Sequence, residues 1–154
     1  MTETARIADQ LRRAFSGEAW HGDALLEVLD GVAAAQAAAR PILHAHTIWE
    51  LVLHIAAWDS AVRRRLGGET VTLSDDQNFP AARDTSESAW RKAVEHARRV
   101  HDDLIQAVSE FPDVRLAEPV PGNQGAHYTY YYMLHGVVQH ELYHAGQIAL
   151  LKKK

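Results

Sequence analysis

The chain contains no cysteine. That absence excludes disulfides, thiolate zinc sites and cysteine nucleophiles together, and leaves His, Asp and Glu as the side chains able to hold a metal. No apolar run approaches the ~18 residues of a membrane span. The opening stretch MTETARIADQLRRAF carries scattered charge where a secretory signal would have an apolar core. A cytoplasmic protein without a membrane partner is the expectation. The net charge of −4 is spread along the chain, and the densest basic clusters, Arg63-Arg64-Arg65 and Lys152-Lys153-Lys154, fall at predicted helix C-termini, where they complement the helix dipole. Neither is interleaved with aromatics, so no nucleic-acid partner is expected. What remains is a 154-residue chain, 47% apolar, which suits a single domain over 1–154 with one buried core.

No strand series competes with the helical period of the apolar residues. Ile7, Leu11 and Phe15 recur at i, i+4, i+8 in a helix beginning near Thr4 and interrupted at Gly17; Leu25, Leu26 and Leu29 resume it after Gly22. Pro41, after the alanine-rich AAAQAAAR, predicts a linker. Thr47 can cap a second helix carried by Ile48, Leu51, Val52, Ile55, Val62 and Leu66 to Gly67-Gly68. A polar loop follows. Asp84-Thr85-Ser86-Glu87 resembles a capping box for a third helix through Trp90, Val94, Ala97, Leu104 and Val108 to about Phe111, closed by Pro112. The last helix runs from about Thr129 to Leu151. The expectation is an all-α four-helix bundle with a broken first helix and long loops, an architecture whose core commonly assembles metal sites from facing helices.

The residues HELYH, 140 to 144, match the H-E-x-x-H zinc signature of metalloproteases. At ~100° per residue His140 and His144 fall within ~40° of each other, on the arc of Met133, Val137, Ile148 and Leu151. Two imidazoles one turn apart can converge on one ion at ~2.0–2.1 Å each. The protease reading fails downstream: AGQIALLKKK holds no His, Asp or Glu to serve as a third ligand, and the longer H-E-x-x-H-x-x-G-x-x-H pattern is out of register at Gly146 and Leu150. The third ligand must come from upstream. His54, at the edge of the apolar face beside Leu51 and Trp58, and His101, in line with Ala97, Leu104 and Val108, both qualify by position. His101 also reads as a core histidine bonded to a backbone carbonyl. His135 projects ~160° from the pair, towards the surface or another subunit. His44, His46 and His127 fall in loops, and His21 and His96 at poorly defined or exposed positions.

The stretch LHGVVQHELYHAGQIALLKK, residues 134 to 153, together with IWELVLHIAAWD, residues 48 to 59, and more weakly AWHGDALLEVL, residues 19 to 29, resembles the DinB-like (damage-inducible, YfiT-related) family. That resemblance implies a four-helix bundle, often a homodimer, with a divalent metal ion held by one histidine of the second helix and an H-x-x-x-H pair of the last. Matched residue by residue, these are His54, His140 and His144. It thereby selects His54 over His101. The metal would be zinc, nickel or manganese. Relatives of this kind include transferases and isomerases that use bacillithiol or mycothiol, in which the metal would activate a low-molecular-weight thiol as cosubstrate, and metal-dependent hydrolases acting on small-molecule substrates. The shared name with a DNA polymerase is a coincidence of nomenclature.

Two neighbours are catalytic candidates. Gln147 shares the arc of His140 and His144 and can orient a ligand or bind substrate, or pack with its amide satisfied. Glu141, ~60° off the nearer histidine, is a general base by analogy with zincins, or else a charge that supports the ligands or faces solvent. The rival to a thiol-transferase or hydrolase is a non-catalytic metal-binding stress-response protein.

Overall fold

The computed structural model describes residues 1–122 and 125–154. Four long helices form the bundle: α1 (Glu3–Ser16), α4 (Ile48–Leu66), α6 (Glu87–Glu110) and α7 (Tyr130–Lys152). The shorter α2 (Leu25–Leu29), α3 (Ala34–Ala38) and α5 (Asp75–Asn78) lie in the connections, and a 3₁₀ turn spans Asp113–Arg115. The main contacts run α1 to α6, α6 to α4, α4 to α7 and α7 back to α1, a closed ring of helices. Among the described residues there is no strand, only an isolated bridge between Pro119 and Thr129. No described helix is long and apolar enough to cross a membrane.

Side-chain caps set the helix starts. Thr2, Thr47, Ser74, Ser86 and Thr129 each accept a backbone N–H from the first turn of α1, α4, α5, α6 and α7, satisfying donors that the helix itself leaves unpaired. Thr47 and Glu50 form the reciprocal box expected of helix-starting Thr-x-x-Glu. The box expected at Asp84–Glu87 does not form. Ser86 alone caps α6, and the Glu87 carboxylate instead accepts the Ala34 N–H at 2.8 Å. That bond helps explain α3, which forms in the alanine-rich stretch before Pro41 where the sequence reading assigns no helix: a carboxylate from another helix satisfies its first N–H. The break after α1 falls at Gly17, whose φ of 144° suits a residue without Cβ.

The core is split in two. At one end Phe15, Leu25, Leu29, Ile48, Trp49, Val52, Ile55, Trp90, Ala97 and Ile148 pack together; at the other, Ile7, Leu11, Val62, Leu66, Leu104, Val108, Tyr130, Met133 and Leu134 do so. Between them on three of the four long helices sits a polar residue: Asp59 on α4, His101 on α6 and Glu141 on α7, each 0% exposed. The candidate site lies beside this layer, where α4 faces α7.

Candidate metal centre

His54 enters from α4, and His140 and His144 enter from α7 one turn apart. Their Nε2 atoms converge: 2.9 Å separates His140 from His54, and 3.1 Å separates His140 from His144. His54 Nδ1–H donates to the carbonyl of Asn78 at 2.7 Å, and His144 Nδ1–H donates to Gln147 Oε1 at 2.6 Å. With the proton on Nδ1, a neutral ring presents a bare lone pair at Nε2. Two such lone pairs therefore face His140 Nε2, which has at most one hydrogen to offer. Protonation does not relieve the conflict. Burial, then the neighbouring imidazoles, lowers His140 to about 3; burial likewise lowers His54 to about 4, outweighing the Asn78 bond, and lowers His144.

A divalent cation would resolve this arrangement. Ligand atoms ~2.0–2.1 Å from one ion lie about 2.9–3.4 Å apart for octahedral to tetrahedral angles, and the observed separations fall in that interval. All three donors lie within 4.8 Å of one another, so the set can hold a metal. Outer partners are in place for two ligands, as is usual for metal-bound histidine. His140 Nδ1 is buried without a partner.

Asn78, the last residue of α5, and Phe79, which caps it, belong to the site although sequence reasoning passed over them. Asn78 accepts from His54 with its carbonyl and from Trp58 Nε1–H with its side chain at 2.8 Å. Phe79 stacks flat on His54, with centroids 4.0 Å apart, and His46 stacks on its other face at 3.7 Å. Ser74-x-x-Gln77, a capping pattern, was the available signal that this loop is ordered by a helical turn.

His101 and Glu141 sit elsewhere. His101 Nε2–H donates to the Leu11 carbonyl at 3.2 Å, the core bond anticipated from its position. Its Nδ1 also lies 3.0 Å from Asp59 Oδ2 and 2.9 Å from Glu141 Oε1, and its ring stacks on Phe15 at 4.0 Å. One imidazole thus ties together all four long helices. Glu141 is fully buried, which overturns its reading as a surface charge; its carboxylate meets His101. Burial, then the charge of Asp59, raises Glu141 to about 8, and burial raises Asp59. Burial alone would lower His101, but the two carboxylates prevail and raise it to about 10. Burial thus pushes both carboxyls towards the protonated form, and the carboxylates push the imidazole towards the charged one. These three residues also offer a donor set within metal-ligand range, and Asp59 Oδ1 and both Glu141 carboxylate oxygens are buried without a hydrogen-bond partner. Gln147 fixes the His144 ring through Nδ1, and His135 lies apart, 3.6 Å from Glu3.

Fold and site together define a four-helix bundle with a three-histidine centre at the α4–α7 seam. The DinB superfamily model matches residues 19–148, and the chain belongs to that superfamily. Comparison with curated proteins finds no match, and neither does comparison with solved structures.

Proposed function

We propose that this DinB-superfamily chain binds one divalent metal ion through His54, His140 and His144 and acts as a metalloenzyme on a small-molecule substrate. The observation that carries this reading is the convergence of three Nε2 atoms, two of them with lone pairs fixed by Nδ1 donation, in a site where burial lowers His54 and His140 well below the ordinary imidazole value. Three nitrogen donors suit zinc or nickel better than the oxygen-preferring manganese. Three protein ligands leave coordination positions at which a bound ion acidifies water or a thiol, or polarises a substrate atom. Asn78 and Gln147 hold two of the rings in the tautomer that presents Nε2. With no cysteine in the chain, thiol chemistry requires a low-molecular-weight thiol from solution. A cavity bordering His140 supports an enzyme over a non-catalytic metal-binding protein, which has no use for a substrate-sized space.

Metal analysis of untagged protein, followed by assays with bacillithiol and mycothiol against electrophilic substrates, tests this reading. About one ion per chain is expected. Clearly substoichiometric metal after reconstitution at neutral pH, with the fold intact, overturns it. A homodimer is part of the same proposal, because Ile42 and Leu150 line one surface cleft and, with Leu43 and Tyr143, are exposed apolar side chains that a second subunit would cover. Sedimentation of a monomer would remove it.

A further inference from the structure

A cavity of about 220 Å³ opens beside His140, lined by Trp58 and Val62 of α4, Tyr128, and Tyr132, Met133, Gly136 and Val137 of α7. Apart from His140 and two tyrosine hydroxyls, its walls are apolar, and one of the residues lining it is a bare glycine. Gly136 lies one turn before His140 on α7, and a Cβ added there meets no atom within 4 Å. Glycine inside a helix is less favourable than alanine, and nothing in the packing around Gly136 excludes a Cβ. Here the glycine extends the cavity down to the helix backbone. The opposite wall is held in place from behind. Arg65, 4% exposed, donates to the Val71 carbonyl and to the Tyr128 hydroxyl, and its guanidinium lies 5.5 Å from the Trp58 ring and 6.0 Å from that of Tyr128. Trp58 is further anchored through Asn78. Arg65 and Asn78 thus hold the Trp58 and Tyr128 walls in position.

We propose that this cavity receives the uncharged apolar body of the substrate, of about the size of one substituted aromatic ring, with the reacting head directed to His140. This rests on the metal-centre reading for the head, but not for the body. A cavity of roughly 150 Å³ lined by apolar side chains suffices to bind benzene, so the observed space holds one ring and a short substituent but not two fused rings with long chains. Besides His140 the lining offers only the Tyr128 and Tyr132 hydroxyls as polar partners, the first already accepting from Arg65, so a charged body would lose its water with little compensation.

Three probes separate body from head: toluene, benzohydroxamate and acetohydroxamate. Toluene has no ligating group. It should change the fluorescence of the wild-type protein with or without zinc, and the change should vanish in Trp58→Phe and in Gly136→Leu, whose side chain fills the cavity. In zinc-loaded protein, benzohydroxamate should bind at least about tenfold tighter than acetohydroxamate by calorimetry, since burying a ring is worth roughly ten- to a hundredfold in affinity. Gly136→Leu should cut that ratio to about twofold while zinc stoichiometry, helix content and acetohydroxamate affinity hold; Gly136→Ala should fall between. Absence of a toluene response in wild type overturns the cavity proposal whatever zinc does, as does a benzohydroxamate advantage that survives in folded Gly136→Leu. Toluene binding without zinc uptake sustains the cavity and removes the metal centre instead.

Discussion

Replacing His101 by alanine separates the two histidine clusters. The imidazole has no solvent exposure and makes three polar contacts: 3.0 Å to Asp59, 2.9 Å to Glu141 and 3.2 Å to the Leu11 carbonyl. Removing one partner of a buried ion pair costs about 3–5 kcal/mol, because the other charge stays buried and unpaired. An orphaned carbonyl costs about 1–3 kcal/mol more. These contributions share one ring and do not add, and the carboxylates can take up a proton to limit the loss, so we expect about 3–5 kcal/mol in all. For a domain of this size each kcal/mol shifts Tm by about 2–4 °C, which places the variant about 6–20 °C below wild type. Urea melts of both apoproteins measure the loss, and zinc titration of the folded variant measures the site. Zinc should still bind. His54→Ala should show the reverse pattern, a modest stability change with zinc affinity down by more than the ~10–100-fold that outer partners contribute. A His101→Ala protein within about 1 kcal/mol of wild type would refute the account of the buried layer. If His101→Ala loses zinc while His54→Ala keeps it, the metal belongs with Asp59, His101 and Glu141.

Gln147→Leu removes the acceptor of His144 Nδ1–H and should weaken zinc about 10–100-fold with helix content unchanged; calorimetric affinity equal to wild type would contradict the orienting role. Acid should release the metal, since protonated imidazole cannot ligate, but only well below pH 6.5, because burial lowers His54 to about 4 and His140 to about 3; loss of metal already at pH 7 in a dialysis series would count against the geometry. Apoprotein stability should peak near pH 6.5. Below that, the unfolded chain takes up protons on His54, His140 and His144 that the folded chain refuses, so stability falls with pH, three groups outweighing the two raised carboxylates. Above it, the folded chain keeps protons on Glu141 up to about 8 and on His101 up to about 10 that the unfolded chain gives up, so stability falls again. Each proton contributes at most about 1.4 kcal/mol per pH unit. Denaturant melts showing stability still rising from pH 7 to 9 would contradict the raised pair.

The long helices were legible because their apolar residues keep one period and begin at Thr or Ser caps. Periodicity also placed His140 and His144 on one arc, but it left His54 and His101 level, since a helical wheel shows direction without showing what lies across the gap. The same limit hid the polar layer. Asp59 and Glu141 are acidic residues whose partner, His101, lies on a third helix, so nothing within α4 or α7 announces that they are buried. Asn78 and Phe79 were missed for another reason: they sit in a polar stretch with no apolar period, ordered by a single helical turn and by contact with His54. The α3 turn escaped likewise, because the carboxylate that satisfies its first N–H comes from Glu87, distant in sequence.

The polar layer also dictates how the helices can slide. On α7 the residues one turn either side of Glu141 are Val137 and Ala145, both buried and apolar; on α6, His101 is flanked at that distance by Ala97 and Ile105. Displacing α7 by one turn would set a carboxylate into a hydrocarbon layer and leave an imidazolium facing a methyl group, at a cost of several kcal/mol. Purely apolar faces would tolerate such a slip. His140 and His144 ride on the same helix, so the pairing of Glu141 with His101 is also the vernier that sets their height opposite His54.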